Sequence, residues 1–238
     1  MLRRSRRRWG PCGPRISVIV PTLQEALRIG GRIAELRDLD LHELIVVDGG
    51  STDRTPDLAE AAGARVIRAA RGRGQQLNAG ARAAEGDVLW FVHADVRVPA
   101  DAPARIRAAL ADDRVVGGAF RTRTVDDVGA RYPRLLRVAD LRASYTGLPY
   151  GDQAVFVRRE AFDAVGGFPE IPLFEDLALS KRLRRVGRLA MLPGPVEVSG
   201  RRFLARPWRS LIAMNVLPVA FRAGLPVGLL ERLYGQPR

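Results

Sequence analysis

Four short runs of apolar, mostly β-branched residues constrain the fold of this chain more than any other feature. They are ISVIV at 16–20, ELIVVD at 43–48, ARVIRA at 64–69 and DVLWFVHAD at 87–95. Helical patterns separate them: apolar residues at helical spacing from 29 to 36, a Thr55-Pro56 helix start, and a helix over 75–84. This alternation predicts an α/β fold with a mostly parallel central sheet flanked by helices.

Polar residues follow three of these runs. They are Pro21 and Thr22, then Asp48, then His93 and Asp95. Parallel strands of such a sheet end at one edge, and ligands bind there. The sequence therefore predicts a binding site built from these residues.

The pattern is looser after residue 96. It predicts helices over 101–111, 128–144 and 175–186, and strands over 115–122 and 154–159. The second strand follows Gly151-Asp152-Gln153, and a Gly-Gly-Phe turn occupies 166–168. A length of 238 residues fits one such domain with an appendage. We expect a disordered basic leader at 1–14, a catalytic domain at 15–202 and an amphipathic helical segment at 203–238.

The formal net charge of +13 is concentrated at the two ends of the chain. Arginine clusters attract nucleic acid or an anionic membrane surface. Arg-rich coding explains them equally well, because lysine occurs only at Lys181. The placement of the charge and the lack of a nucleic-acid-binding motif argue against nucleic acid as a partner.

Cellular location is predicted from one cysteine and one apolar segment. Cys12 has no partner for an internal disulfide, which favours a reducing, cytoplasmic compartment. The longest apolar stretch, 211–230, is interrupted by Asn215, Pro218, Arg222 and Pro226. It is a poor membrane span, but it suits a peripheral position on the inner face of the membrane.

The loop Asp48–Asp53 follows a strand directly and has the sequence DGGSTD. Glycine permits close approach of a ligand, and a carboxylate at a strand end can accept from a base N–H or a ribose hydroxyl. A plain Gly-Ser-Thr turn is an equally good interpretation. No Gly-Lys-Ser/Thr follows, so the loop is not a P-loop.

Two further groups of residues carry possible chemistry. Asp95 is the better ligand for Mg²⁺ or Mn²⁺, and His93 is either a second ligand or a packed core histidine. Glu175 and Asp176 open a helix, where acids either stabilise the helix dipole or supply a general base. Arg71 and Arg73 either hold a diphosphate or lie in a solvated loop.

The set of motifs resembles the family 2 glycosyltransferases, which have the GT-A fold. SVIVPTLQEA resembles the P-T-x-N-E turn with Gln24 for Asn, and ELIVVDGGSTDRT resembles V-V-D-D-G-S-T-D-x-T with Gly49 for the second Asp. GRGQQLNAG…GDVLWFVHAD resembles G-x-x-x-A-x-N-x-G…D-x-D with His93 for the first Asp. VGGFPEIPLFEDLALSKRLRRVG resembles the late G-G-F…E-D segment. The His-Ala-Asp form also resembles a small subgroup described as arsenosugar-biosynthesis or radical-SAM-associated glycosyltransferases.

The resemblance implies a role for each matching residue. Asp176 would be the catalytic base and Asp95 the ligand of Mn²⁺ or Mg²⁺, with His93 as a second candidate. The donor, a UDP-sugar first of all, would contact Pro21, Thr22, Glu25, Asp48, Arg71, Arg73 and Asp95. The acceptor, a small molecule or a lipid-linked one, would lie near Asp152, Gln153, Glu175, Arg201 and Arg202.

The expected reaction is an inverting transfer of a sugar from a nucleoside-diphosphate sugar to an acceptor hydroxyl. Three alternatives remain open at this stage. A nucleotidyltransferase shares the fold but is expected to have a Gly-rich basic loop after the first strand, which PTLQEALR lacks. A catalytically impaired nucleotide-sugar-binding protein is compatible with the replaced acids at Gly49 and His93. A nucleic-acid-binding protein is the weakest of the three.

Overall fold

The computed structural model describes residue 9 and residues 13–125, 148–199, 216–221 and 223–234. Three predictions lie outside these residues: the helix at 128–144, the acceptor-side Arg201 and Arg202, and most of the leader.

The helices and strands occur in the alternating order that the sequence predicts. They are β1 (Ile16–Thr22), α1 (Ile29–Arg37), β2 (Glu43–Asp48), α2 (Thr55–Ala61), β3 (Arg65–Arg68), α3 (Arg73–Ala83), β4 (Val88–Phe91), β5 (Val96–Arg97), α4 (Ala102–Leu110), β6 (Val115–Val125), β7 (Phe156–Arg158), α5 (Arg159–Ala164), α6 (Glu175–Leu183), β8 (Arg188–Ser199) and α7 (Val227–Tyr234). A 3₁₀ turn covers Gly151–Gln153, and residues 216–221 are helical.

One eight-stranded sheet has the order β3-β2-β1-β4-β7-β6-β8-β5. The four strands β3, β2, β1 and β4 are all parallel, and β7 is antiparallel to both β4 and β6. Beyond β7, β6 and β8 are parallel to each other, and β5 is antiparallel to β8. This mixed α/β sheet with helices on both faces is the GT-A fold.

Alternate residues of the central strands serve two different cores. In β1, Ile16, Val18 and Val20 pack with α1 and α4 on one face. Ile19 packs with α3, α5 and α6 on the other. Because both faces are covered, the strands are continuous apolar runs.

Three local features differ from the sequence predictions. Strand β4 ends at Phe91, before the histidine and aspartate that the sequence places on it. Helix α2 begins at Thr55, so that Arg54, and not the threonine, is its N-cap. Helix α6 ends at Leu183, because Gly187 closes the turn by donating to Leu183 O.

Strand β8 has no counterpart in the sequence prediction. Its sequence contains Pro193 and Pro195, which normally exclude a segment from a sheet. The structure accommodates them through a register shift in the pairing of β6 with β8, after Phe120. Among the residues that the structure describes, no helix combines the length and the hydrophobicity needed to cross a bilayer.

Candidate functional site

Asp48 ends β2 at the carboxyl edge of the sheet. Its Oδ2 accepts the backbone N–H groups of Gly50 at 3.0 Å and Ser51 at 2.9 Å. The residue is 1% exposed, and its Oδ1 has no hydrogen-bond partner within the described segments. A buried carboxylate oxygen without a donor is costly, so this atom suits a donor group of a ligand.

The loops after β1 and β2 are joined through Gln24. This residue has a φ of 57°, in the left-handed region. Its side chain donates to Thr52 Oγ1 at 2.8 Å and accepts the backbone N–H groups of Thr52 and Asp53 at 3.0 and 3.2 Å. Its own N–H donates to Ser51 Oγ at 2.9 Å. Gln24, which stands where the family pattern has Asn, therefore holds the loop around Asp48 in place.

Asp53 adds a second link between the same loops. Its carboxylate accepts the N–H of Thr55 at 3.0 Å and that of Ala26 at 3.2 Å. The hydroxyl of Thr55 also donates to Asp53, and this bond lowers the pKa of the carboxyl. The same hydroxyl accepts the N–H of Glu25 at 2.8 Å, which fixes the start of the predicted donor-contacting turn.

Thr22, which is predicted to contact the nucleoside, has a buried side chain. It is 2% exposed, and its hydroxyl is directed to Val47 O at 3.5 Å. Its backbone oxygen accepts the amide of Gln76 at 2.9 Å. Pro21 and Glu25, by contrast, are partly exposed at the sheet edge.

His93, Ala94 and Asp95 form a turn beyond β4. The turn is closed by Val96 N–H, which donates to His93 O at 3.0 Å. Residues two apart on an extended chain lie on the same side, and the turn places both His93 and Asp95 just beyond the carboxyl end of β4, so the two can serve one site. Arg32 supports the turn from α1, because its Nε donates to Ala94 O at 3.3 Å.

The donors at this turn suit a divalent cation that is shared with a diphosphate. Within the described residues, no group of three or more His, Cys, Asp or Glu side chains could hold a metal alone. Asp95 and His93 provide one carboxylate and one imidazole. Mg²⁺ is commonly bound by one or two carboxylates together with substrate phosphates, and imidazole is an acceptable ligand for Mn²⁺.

A cleft beside the turn brings His93 together with Asp176. Its polar lining consists of Arg73, His93, Glu175, Asp176 and the backbone of Gly151, above an apolar floor of Leu77, Phe91, Val155, Phe168 and Leu179. Asp176 Oδ2 accepts Gly151 N–H at 2.6 Å, and Oδ1 accepts Leu177 N–H at 2.7 Å. A Cβ at Gly151 would lie 3.1 Å from His93 Nε2 and 3.3 Å from Asp176 Oδ2. The lack of a side chain at 151 therefore lets His93 and Asp176 lie close to each other.

Glu175 differs from its neighbour in being 1% exposed. Burial, and secondarily the charge of Asp176, raises its pKa from 4.5 to about 7. Arg73 Nη1 lies 3.2 Å from Glu175 Oε1 and opposes this shift. Burial prevails because the Arg73 side chain is 39% exposed and solvent screens its charge.

The remaining predicted residues have varied positions. Gln153 is 1% exposed, and its amide bridges Phe120 O and Tyr150 N–H below the 3₁₀ turn. Asp152 lies on that turn and is partly exposed, and Arg71 is exposed just before α3. The roles of these residues stay predictions.

The start of α6 is held by a contact with the C-terminal segment. Phe174, the N-cap of α6, has a φ of 66°. Its ring packs on Phe221 with centroids 5.1 Å apart, and Lys181 Nζ lies 5.1 Å from the same Phe221 ring. Sequence reasoning missed this contact, because nothing in the apolar pattern at 211–230 identifies its partner.

Comparison with known proteins agrees with this architecture. The model of glycosyl transferase family 2 matches residues 17–166. A curated relative, the beta-monoglucosyldiacylglycerol synthase of Synechocystis sp., is 29% identical over 79% of this chain, and the chain spans 44% of that synthase.

Two solved structures share the fold. The first is a mannosyltransferase of Pyrobaculum calidifontis in complex with GDP-Man and Mn²⁺, with a TM-score of 0.67 and 24% identity over 93% of this chain and 68% of that one. The second is the glucosyl-3-phosphoglycerate synthase of Mycobacterium tuberculosis with Mn²⁺, UDP-Glc and phosphoglyceric acid, with a TM-score of 0.61 and 23% identity over 90% and 82% of the two chains. Since the family model covers more than half of the sequence, this chain belongs to glycosyl transferase family 2.

Proposed function

We propose that the protein is an inverting glycosyltransferase that moves a sugar from a nucleoside-diphosphate sugar to an acceptor hydroxyl. The observation that carries the proposal is the small cleft at Gly151, which Asp176 and His93 both line. A base on one side and a turn suited to a metal–diphosphate on the other is the arrangement that a single displacement needs. Family membership and the nucleotide-sugars bound by the two structural neighbours support it.

Each part of the site has one task in this mechanism. The unpartnered Oδ1 of Asp48 accepts a hydrogen bond from the nucleoside, for which uridine is the first candidate. Asp95, with His93 beside it, holds Mn²⁺ or Mg²⁺. When bound, the metal neutralises negative charge on the departing diphosphate.

Asp176 takes the proton from the acceptor hydroxyl. The two backbone N–H groups of Gly151 and Leu177 fix its carboxylate in the cleft. A positioned general base of this kind contributes about 10²–10⁴-fold. Glu175, held mostly neutral below pH 7 by its raised pKa, leaves a single negative charge next to the reacting hydroxyl.

Ligand-dependent stability and metal-dependent turnover test this function together. A ligand of the native state raises stability by RT ln(1 + [L]/Kd), so a thermal-shift panel of nucleoside diphosphates and nucleotide-sugars should show a UDP compound with Mn²⁺ above the others. Hydrolysis or transfer of that donor should need Mn²⁺ or Mg²⁺ and should be lost in Asp95→Ala. Full turnover in excess chelator would contradict the assignment of Asp95 as a metal ligand. Binding without any turnover would indicate a nucleotide-sugar-binding protein instead.

A second proposal concerns the C-terminal segment and an anionic membrane surface. Within the described parts of this segment, Leu217 and Leu230 are buried against Leu173. Leu173 comes shortly before the proposed base, Asp176, in the sequence. Four apolar side chains of the same segment are exposed: Val216, Val219, Leu225 and Leu229. We propose that this exposed apolar face, together with the arginines that the sequence has between 201 and 232, contacts anionic lipid and places the cleft at the membrane surface.

A further inference from the structure

Two positions at which this chain departs from the family pattern lie in contact. Gly49 stands where the pattern V-V-D-D-G-S has its second Asp, and Gln76 stands where G-x-x-x-A-x-N-x-G has Ala. They are on different elements, the loop after β2 and the middle of α3. A Cβ at Gly49 would lie 2.9 Å from Cδ, Nε2 and Oε1 of Gln76. The carboxamide therefore covers the face of Gly49 from which a side chain would project.

Gln76 also joins the ends of two neighbouring strands. It is 6% exposed, and its Nε2 donates at 2.9 Å to both Thr22 O and Val47 O. Thr22 O also accepts Gly49 N–H at 2.9 Å, so one cluster of hydrogen bonds fixes the chain on both sides of Asp48.

Helix α3 is held close enough to the sheet for this contact. A Cβ at Gly80, one turn after Gln76, would lie 2.4 Å from Ile19 Cγ2 and 2.9 Å from Val47 Cγ2. The helix therefore rests directly on β1 and β2. Because of this close approach, the carboxamide of Gln76 reaches the carbonyl groups at the ends of both strands.

Glycine is required at position 49 because Gln76 leaves no space for a side chain, and not because of the backbone conformation there. Among the glycines of the described residues, Gly50 has a positive φ of 92°, and Gly49 does not. An L-residue at 49 is therefore sterically acceptable to its own backbone. It would instead displace the Gln76 carboxamide from the two carbonyl groups that it binds.

We propose that Gly49 and Gln76 are a matched pair in which the amide takes the place of the family's second acid. In this assignment Gln76 is a positioning residue for nucleotide binding, and it acts by setting the location of the Asp48 carboxylate. The pair also makes this part of the nucleotide site neutral where the family pattern is acidic. The inference rests on the proposed function, because it concerns the same nucleotide site.

Removal of the carboxamide is the first test. Gln76→Ala and Gln76→Met, which keeps the volume but lacks the donors, should each weaken UDP binding in the presence of Mn²⁺ by about tenfold, the scale expected for unsatisfied buried carbonyl groups. The donor KM should rise in parallel, and kcat at saturating donor should change by less than about twofold, since uniform binding energy affects KM alone. Gln75→Ala is the matched control, because the amide of Gln75 binds the exposed Glu170 at 3.3 Å.

The reciprocal exchange tests the pairing itself. Gly49→Asp alone should weaken UDP binding, and Gly49→Asp with Gln76→Ala should bind more tightly than Gly49→Asp alone, because the second change vacates the space. Additive losses, or unchanged Kd values in both Gln76 variants, would overturn the proposal. Circular dichroism and melting temperature identify a variant that does not fold, and Gln76→Met then decides. If the wild-type protein itself binds no nucleotide, it is the proposed function that fails.

Discussion

Glu175 and Asp176 are adjacent in sequence but have different surroundings. The first is buried beside Arg73, and the second is partly exposed in the cleft with both carboxylate oxygens hydrogen-bonded to backbone. Only Asp176 can be reached by an acceptor hydroxyl without rearrangement. The two acids should therefore respond differently to loss of charge.

Asp176→Asn should separate chemistry from donor binding. We expect kcat to fall by at least about 10²-fold, because the general base is lost. The Kd for the nucleotide should change little, because Asp48 and the loop around it are untouched. Single-turnover kinetics and calorimetric titration measure the two quantities. Asp57→Asn, at an exposed site in α2, is the control, and normal turnover by Asp176→Asn would assign the proton transfer to another residue.

Glu175 should make stability depend on pH. Its folded-state pKa, about 7, is above the ordinary value of 4.5, so the folded protein binds the extra proton over that interval. Its contribution to the free energy of unfolding should therefore be greatest below pH 4.5, fall as the pH rises to about 7, and be constant above. Urea unfolding of wild type and Glu175→Gln across this interval isolates the effect. An unchanged difference between the two proteins would show that folding does not raise the pKa of Glu175.

At the scale of whole elements, α6 connects the cleft to the C-terminal segment. Its N-cap Phe174 adopts a left-handed conformation, which is unfavourable for a bulky residue and needs support from its surroundings. The ring of Phe221 supplies that support at 5.1 Å. The position of the proposed base thus depends on a residue 45 positions away in sequence.

Phe221→Ala should disturb catalysis more than binding. We expect kcat to fall by about tenfold, because small displacements of a catalytic group have effects up to about 10²-fold. Nucleotide affinity should be unchanged. Val219→Ala, in the same helical turn but 60% exposed, is the matched control. Equal kcat values for the two variants would show that the contact does not position α6.

The parallel strands could be predicted because their signal is local. The apolar runs that form β1 and β2 are buried on both faces, so composition alone identifies them. The pattern of β8 could not be interpreted in the same way, because Pro193 and Pro195 conceal it. Its place in the sheet depends on pairing with β6, which is distant in sequence.

The same distinction applies to the site. Asp48 and Asp95 could be proposed because each stands at the end of a long apolar run. Gln76 could not, since it lies within a helix and its function depends on where α3 crosses the strand ends. Gln153 stays a predicted acceptor-side residue, but the sequence did not show that its amide is hydrogen-bonded inside the protein, because spacing along the chain does not reveal the direction of a side chain.

At the scale of the whole molecule, apolar exposure and positive charge occur in the same segment. The face formed by Val216, Val219, Leu225 and Leu229 lies in the C-terminal segment, and residues 197–238 contain seven of the arginines that give the chain its charge of +13. Each arginine near an anionic surface contributes about 1 kcal/mol, so several would hold the protein there reversibly.

Sedimentation with liposomes tests this membrane contact. The full chain should bind anionic vesicles, bind neutral vesicles weakly and be released at high salt, because screening weakens the attraction. The double variant Val219→Asp and Leu229→Asp should lose most of the binding. Val186→Asp, 37% exposed beyond the far end of α6, should retain it. If the wild-type chain ignores anionic vesicles at low salt, the exposed face has another role.

The reversal of strand direction at β7 has an evolutionary consequence. On one side of it, β3, β2, β1 and β4 carry the residues proposed to bind the donor, at or just beyond their carboxyl ends. On the other side, the chain between β6 and β8 contributes Gly151 and Asp176, and the C-terminal segment follows β8. Substitutions on this second side do not alter the proposed donor-binding residues of the parallel half. We therefore expect the acceptor to change more readily than the nucleotide-binding residues among proteins that share this sheet.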